Sequence, residues 1–434
     1  EGEGIAKIDN FTIFIPGTIK GEKVRVLIVK VLSSHGFGKV IEILEKSQAR
    51  QDVDCNTYKR CGGCNLRHVK YEETLKMKQN AVQSLVNKTL KNKLQIKETV
   101  GMENPLHYRN KAQYPIGINK KGEPVIGVFA NRTHEVIPID NCLIQNKKSE
   151  EIAKFIIEFI KEKNISIYDE KTGKGLVRHI VTKVGIKTGE IMCVIVINGH
   201  KIPNENELVE NLKTRYPEIK AIVKNINMKN TNVILGQENI NLYGNGYIED
   251  ILGEYKFKIS PLSFYQVNPV QAEKLYNLGV SMAEITKNDV VFDLYCGIGT
   301  ISLFMSKFAK KVYGIEIVEE AVKMAKENAQ NNNVSNTEFF AGDVEIVLDD
   351  LINNKGLKAD VVMFDPPRKG LDKKSIDNIL NIRPKKIVYI SCNPATLIRD
   401  LADFENEYDI KTIIPVDMFP FTSHVECVAT LQLK

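Results

Sequence analysis

The hydrophobic pattern divides the chain into three stretches of different texture. Residues 1–46 alternate short β-branched runs with glycine-containing turns, as in FTIFIPG and EKVRVLIVKVL, a pattern typical of a small antiparallel, OB-like β-barrel. Residues 47–260 contain short apolar strands such as EIMCVIVI and an amphipathic helix at SEEIAKFIIEFIKEK. We therefore expect a mixed α/β central domain after the barrel.

The last stretch, residues 261–434, alternates apolar strands with amphipathic helices. VVFDLY, KVYGIEI, TEFFAGD, ADVVMFD and KIVYIS are predicted strands, mostly separated by helices such as EEAVKMAKENAQ. This βαβ alternation predicts a mainly parallel, doubly wound, Rossmann-like sheet. A further helical pattern near residues 71–90, YEETLKMKQNAVQSLVNKTL, is a candidate to pack on this C-terminal domain.

Composition agrees with a multidomain globular protein. A chain of 434 residues exceeds what one hydrophobic core usually serves, so two or three domains are expected. No apolar run approaches the roughly 18 residues that a membrane span requires. We expect a soluble, cytoplasmic monomer without membrane contact.

Positive charge is concentrated in the first third of the chain. The whole chain carries a net charge of +6, but residues 1–150 contain 25 Lys and Arg against 16 Asp and Glu. Lys and Arg that neutralise phosphates supply most of the sequence-independent affinity for nucleic acid. The asymmetry therefore indicates a phosphate-binding surface, although a solvated basic face explains the charge equally well.

The motif DLYCGIGT leaves a predicted strand and enters a helix. It places Gly297 and Gly299 where a side chain would block a ligand. Glu316 closes the second strand, where a carboxylate can accept both hydroxyl hydrogens of a ribose, and Asp343 ends the third strand, within reach of an adenine. Because Ser302 replaces the third glycine of a dinucleotide-binding loop, S-adenosylmethionine is favoured over a nicotinamide cofactor.

Two further strand ends carry unusual motifs, FDPPRK with Asp365 and ISCNPATLIRD with Cys392. The thiol lies at the start of a helix, where free N–H groups and the helix dipole would favour the thiolate. Carbon 5 of uracil cannot attack a sulfonium methyl unaided, but addition of Cys392 to carbon 6 would create a reactive enolate. A base must then remove the carbon 5 proton, and Glu426 in SHVECVAT is the candidate. The alternatives are an inert buried cysteine and an ordinary strand carboxylate.

Taken together, these motifs resemble the uracil-5-methyltransferase family acting on RNA, and specifically its bacterial 23S ribosomal RNA branch. DLYCGIGT, DPPRKG, SCNPATLIRD and HVE occur in that family's order, and GEGIAK through PGTIKGEKV resembles its TRAM domain, an RNA-binding barrel. The resemblance implies that Cys392 is the nucleophile and Glu426 the base. It also implies a set of residues that bind the methyl donor: Gln266 in SFYQVN, Tyr295, Glu316 and Asp365.

Three of the eight cysteines, Cys55, Cys61 and Cys64, fall within ten residues. In a reducing compartment such a group suggests a metal rather than disulfides. The family resemblance implies that these three and Cys142 hold a [4Fe-4S] cluster, with zinc as the metal alternative and metal-free cysteines as the third. Methyl transfer needs no redox chemistry, so such a cluster would be structural or would position RNA.

Two rival functions remain at this stage. One is methylation of transfer RNA, which the barrel and the cysteine group together disfavour because that branch typically lacks both. The other is an RNA-binding iron-sulfur protein without activity, against which the intact Cys392, Glu426 and glycine loop argue.

Overall fold

A computed structural model describes residues 2–131 and 133–434. The described strands form four sheets, two of seven strands, one of four and one of two. No helix in these ranges is long and apolar enough to cross a membrane.

The N-terminal sheet confirms the predicted strands but not a purely antiparallel arrangement. Its order is β1-β2-β4-β3, and β2 pairs with β4 in parallel while the other pairs are antiparallel. The hairpin of β3 and β4 returns the chain in the direction of β2, which makes the parallel pairing possible. The strands are β1 (Gly4–Ile8), β2 (Phe11–Ile15), β3 (Lys23–Val31) and β4 (His35–Glu45).

Helix α1 (Tyr71–Thr89) follows the cysteine-rich segment and packs on the C-terminal sheet. Val82 and Val86 are fully buried in one cluster with Leu397 of that sheet's helical layer. Lys78 donates to Asp417 at 2.5 Å, and both side chains are buried. Apolar burial and a paired buried charge thus fix the helix to the C-terminal half.

The central domain is a seven-stranded sheet in the order β11-β10-β9-β8-β5-β6-β7. Two helices cover one face and share a buried apolar cluster with it. A β-hairpin follows and leads to the C-terminal part. The elements are β5 (Lys111–Ile118), β6 (Pro124–Phe129), β7 (Val136–Pro138), α2 (Lys147–Glu162), β8 (Val177–Val184), β9 (Ile191–Ile197), α3 (Glu205–Arg215), β10 (Ile219–Ile226), β11 (Glu238–Gly244), β12 (Ile248–Leu252) and β13 (Tyr255–Ile259).

The C-terminal sheet has the predicted doubly wound form, with the order β16-β15-β14-β17-β18-β20-β19. The first five strands are parallel, and β20 runs antiparallel to both of its neighbours. The parallel strands therefore end at one edge, where ligands bind in such folds. The elements are α4 (Pro269–Ala283), β14 (Val290–Leu294), α5 (Thr300–Ser306), β15 (Lys311–Glu316), α6 (Glu319–Asn331), β16 (Thr337–Ala341), α7 (Val344–Asp349) with a π-helical turn (Asp350–Asn354), β17 (Val361–Phe364), α8 (Lys373–Ile382), β18 (Lys386–Ser391), α9 (Pro394–Phe404), β19 (Tyr408–Val416) and β20 (Glu426–Leu433).

Candidate active site

A cavity of about 1180 Å³ lies at the carboxyl edge of the parallel strands. It is somewhat larger than the roughly 300–1,000 Å³ of most small-molecule pockets, so it has room for a nucleoside-sized ligand. Six of the predicted ligand-binding residues line it: Gln266, Tyr295, Gly297, Glu316, Asp343 and Asp365.

The two glycines of the loop after β14 serve different purposes. Gly297 has φ +55°, and a Cβ there would meet no heavy atom of the described residues within 4 Å, so its backbone faces the open cavity. Gly299 has φ +81°, and its Cβ would lie 3.1 Å from both Ala325 and Phe339 in the interior. The expectation that both glycines make room for a ligand therefore fits Gly297. Gly299 is required instead by tight packing against α6 and β16.

Hydrogen bonds orient the two acidic residues at the ends of β15 and β16. The Glu316 carboxylate accepts from the Gly297 N–H at 3.1 Å and from the Val318 N–H at 3.0 Å. Asp343 caps α7 by accepting from the Glu345 N–H at 3.0 Å. Carboxylate oxygens have further lone pairs, so both groups can still accept ligand hydroxyl or amino hydrogens.

Asp293, inside β14, is a buried carboxylic acid for which the sequence analysis predicted no function. It is 1% exposed, and the hydroxyl of Ser302, the residue in place of the third glycine, donates to it. Burial raises the pKa of Asp293 to about 7, and the nearby Asp365 and Glu316 carboxylates raise it further. The signal was present in the sequence as an acidic residue within the apolar strand VVFDLY.

Strand register brings the two predicted catalytic residues together. In the antiparallel pair of β18 and β20, Ser391 lies opposite Cys427, so the next position outward sets Cys392 opposite Glu426. Glu426 is only 3% exposed, and its Oε2 has no hydrogen-bond partner within the described part of the chain. Asp365 follows β17, the neighbour of β18, and so lies between this pair and the cavity.

The charges in this corner oppose the expected thiolate at Cys392. Burial raises the pKa of the half-buried Cys392 thiol, and the Glu426 and Asp365 carboxylates raise it further, while Arg368 lowers it. The helix start contributes less than expected because Asn393 already accepts the Ala395 N–H at 3.1 Å. The free site therefore favours the neutral thiol.

Burial also raises the pKa of Glu426, with a further increase from the Asp365 charge and a decrease from Arg368. Burial raises the pKa of Asp365 as well. Two interacting carboxyl groups in one poorly solvated place lose their protons in coupled steps, so the pair tends to keep a proton at neutral pH.

Two other side chains near Glu426, those of Cys427 and His424, could also accept a proton but lie in less suitable positions. Cys427 is fully buried in the apolar cluster that contains Tyr389 and Leu431, on the side of the sheet away from Glu426. His424 lies before the start of β20, so strand alternation does not place its side chain on the face of Glu426.

Cys55, Cys61, Cys64 and Cys142 are close enough to influence one another's charge. All four are half-buried free thiols. Burial raises the pKa of Cys64 to about 12, and the thiols of Cys142, Cys61 and Cys55 contribute to the increase. Over residues 2–131 and 133–434, however, no group of three or more His, Cys, Asp or Glu side chains has the arrangement that holds a metal ion.

Comparisons with known proteins place the sequence among RNA-modifying enzymes. The family profile described as tRNA (Uracil-5-)-methyltransferase matches residues 70–434, and the TRAM domain profile matches residues 1–41. An uncharacterised RNA methyltransferase of Clostridium acetobutylicum is 49% identical, covering 99% of this chain and 94% of its own. An uncharacterised RNA methyltransferase of Staphylococcus aureus is 44% identical, and the match covers 100% of this chain and 96% of that protein.

Among solved structures, the fold is similar to that of the Pyrococcus abyssi tRNA (uracil-54, C5)-methyltransferase in complex with S-adenosyl-L-homocysteine. The TM-score is 0.78 at 26% sequence identity, and the match covers 99% of this chain and 100% of that one. The similarity therefore includes the N-terminal sheet and the cysteine-rich segment as well as the C-terminal sheet.

Proposed function

This chain belongs to the tRNA (uracil-5-)-methyltransferase family, and from that premise we propose that it methylates carbon 5 of a uridine in 23S ribosomal RNA. S-adenosylmethionine, the donor used by this class of fold, supplies the methyl group when bound. The observation that supports the chemistry is the register of β18 and β20, because its continuation by one position pairs Cys392 with Glu426, and Asp365 next to them lines the cavity.

For the donor site, we assign the ligand contacts to the residues predicted from the motifs. The open backbone at Gly297 and the fixed Glu316 carboxylate support this assignment, because a ribose needs close approach and an acceptor. Gly299 contributes by shaping the loop. The assigned donor-binding residues are Gln266, Tyr295, Gly297, Gly299, Glu316, Asp343 and Asp365.

The catalytic steps follow from the chemistry of uracil. Cys392, as the thiolate, adds to carbon 6, and the electron pair of the 5,6 double bond moves into an enolate. Carbon 5 of this enolate takes the methyl group as the bond between that methyl group and the sulfonium sulfur breaks, and S-adenosylhomocysteine is the leaving group. Carbon 5 then carries both the methyl group and its original proton. Glu426, as the carboxylate, removes that proton, the double bond re-forms, and the bond between carbon 6 and the Cys392 sulfur breaks.

Ribosomal RNA is proposed as the substrate because the motif resemblance is to that branch of the family. Transfer RNA is a second candidate, since the similar Pyrococcus abyssi enzyme is a transfer RNA methyltransferase covered over its whole length. The expectation that the barrel and the cysteine-rich segment disfavour transfer RNA carries less weight for the same reason.

A methylation assay with separate RNA pools tests the substrate. Unmodified 23S ribosomal RNA and unmodified transfer RNA transcripts are incubated with labelled S-adenosylmethionine, and the nucleosides are then separated. Labelled 5-methyluridine from 23S RNA alone supports the proposal, and label in transfer RNA alone replaces it with the second candidate. No label in either pool, with Cys392→Ala as the blank, rejects both.

We also propose that Cys55, Cys61, Cys64 and Cys142 hold a [4Fe-4S] cluster. Four half-buried thiols in electrostatic contact are the donor set that such a cluster takes. Such a cluster would be held by the thiolates of these four cysteines and would serve structure or RNA positioning rather than redox chemistry. Metal and sulfide analysis of protein purified without oxygen tests this: about four irons per chain support it, and one zinc rejects it.

The proposed division of the chain is residues 1–46 as a TRAM domain that binds RNA, residues 47–260 as the cluster-bearing central domain, and residues 261–434 as the methyltransferase domain. It is supported by the separate sheets and by the TRAM profile match over residues 1–41.

A further inference from the structure

A second cavity, of about 600 Å³, lies in the central domain at the end of β5 and the start of β8. Its lining includes the aromatic rings of Phe129, His134, Tyr168 and His179. The rings of Phe129 and His134 stack with centroids 5.0 Å apart and an interplanar angle of 27°. The guanidinium group of Arg178 lies over the Tyr168 ring, 4.2 Å from its centroid. The catalytic mechanism uses none of these groups.

His179 of β8 lines this cavity with unsatisfied hydrogen-bonding groups. It is 5% exposed, its ring packs edge-to-face with that of Phe129, and neither ring nitrogen has a hydrogen-bond partner in the described ranges. Burial lowers the pKa of His179 to about 4, helped by Arg178 and His134, so the ring is neutral at physiological pH. It therefore offers one N–H donor and one lone-pair acceptor. Buried groups left in this state favour a ligand that pairs with them.

The rim of the cavity excludes an anionic ligand. Glu135 is paired with Arg60 at 2.6 Å and Glu170 with His134 at 2.6 Å, while Asp169 accepts a backbone N–H at 2.7 Å. Arg178 donates to the backbone carbonyls of Asn227 and Lys229, which leaves Lys171 as the other cation of the lining against three carboxylates. This excess of negative charge disfavours a phosphate. A flat, neutral, polar-edged ligand suits the pocket better.

We infer that this pocket takes up one unstacked nucleobase of the RNA substrate. Proteins recognise single-stranded RNA by stacking its bases on aromatic and histidine rings and hydrogen-bonding their edges. The inference rests on the proposed function only in taking RNA as the substrate class.

The distance between this pocket and the donor cavity indicates how far along the RNA the bound nucleotide lies from the target uridine. At one end of β5, Asn110 donates to the backbone carbonyl of Gln266 in the donor cavity at 3.0 Å, and Gly117 near the other end lines the second pocket. Seven residues of strand separate these points by roughly 23 Å. The base in the pocket is therefore several nucleotides from the target uridine, and it would fix the register of the RNA on the enzyme.

The test uses the full-length protein and the RNA pool that accepts methyl groups. His134→Ala removes a stacking ring from a half-exposed position, so it is not expected to disturb folding, and His179→Leu keeps bulk while removing both nitrogens. His200→Ala, an exposed histidine of the same domain outside the pocket, is the matched control. Filter binding gives the RNA affinity, and ultraviolet crosslinking of unmodified RNA followed by peptide mapping locates the contact.

His134→Ala should weaken RNA binding about tenfold or more, as loss of one base–aromatic stack does. His179→Leu should also weaken it, because the base edge loses its hydrogen-bond partners. Both variants should keep the native affinity for S-adenosylmethionine. Crosslinks should map to the peptides that contain Phe129, His134 or His179, and the control should bind as the native protein does. If His134→Ala binds RNA as tightly as the native protein, or if crosslinks map only to other peptides, the inference about the pocket is wrong. The proposed function would stand in that case as long as the native protein methylates the RNA. Absence of methylation by the native protein would instead reject the proposed function.

Discussion

Replacement of Glu426 by Gln separates the two catalytic roles most sharply. The change preserves side-chain size but removes the base, so addition of Cys392 and methyl transfer can proceed while proton removal from carbon 5 stalls. Loss of a general base costs about 10²- to 10⁴-fold in rate. The stalled species is the methylated RNA still bonded through carbon 6 to the Cys392 sulfur.

Folding of this variant should be little affected, because the native carboxyl already tends toward its neutral form. Burial raises the pKa of Glu426 above its ordinary value of 4.5, so the native protein binds a proton there that the unfolded chain releases. The contribution of Glu426 to the free energy of unfolding is therefore fully present below pH 4.5. It decreases by about 1.4 kcal/mol per pH unit as the pH rises toward the raised pKa of the folded state. Gln does not ionise, so the melting temperature of Glu426→Gln should rise relative to that of the native protein as the pH increases from 4.5 toward this raised pKa.

A denaturing gel with methyl-labelled donor detects the trapped complex. Glu426→Gln should give a slowly migrating, labelled protein–RNA band, and Cys392→Ala should give none because no enolate forms. Cys427→Ala is the matched control, since it alters the adjacent position on the opposite face of β20 and should turn over with only a packing cost. Turnover of Glu426→Gln at the native rate would refute the assignment and direct attention to His424.

Three further outcomes are expected. Cys64→Ser should lose the bound iron measured by metal analysis, whereas Cys193→Ala, in the core of the central sheet, should retain it; equal retention would place the cluster elsewhere. Deletion of residues 1–46 should weaken RNA binding and reduce its dependence on salt, because phosphate contacts are lost. Titration calorimetry should show unchanged binding of the methyl donor, and loss of both RNA and donor binding would indicate unfolding. Because Asp365 and Glu426 have raised pKa values, binding of cationic S-adenosylmethionine should tighten with increasing pH and release protons. Neutral-sulfur S-adenosylhomocysteine should show less of this dependence in the same calorimetric titration, and identical profiles would contradict the coupling.

Much of the fold could be predicted because its signals are local. The alternation of strand and helix patterns after residue 260 predicts parallel βαβ units, and the motifs at strand ends must then meet at one edge. The parallel pairing of β2 with β4 could not be predicted, since it depends on which distant strands meet. The packing of α1 on the C-terminal domain was expected, but the residues that it meets there, such as Leu397, depend on the tertiary fold.

The site was predictable in its residues but less so in its energetics. A helix start beside Cys392 suggested a thiolate, yet burial raises the pKa of this thiol, and the carboxylates of Glu426 and Asp365 raise it further. Those carboxylates come from positions 365 and 426, so their effect on Cys392 depends on the tertiary fold. Gly299 shows the same limit, because the side chains that require a glycine there come from α6 and β16.

The raised pKa values of Asp293, Asp365 and Glu426 suit an enzyme whose donor is a cation. Without a cation, ionising neighbouring carboxyl groups in a poorly solvated site is costly, and holding protons avoids that cost. A sulfonium group bound beside them would favour the carboxylates, and so would bring Glu426 into the form that can take a proton. Donor binding and activation of the base would then be one linked event.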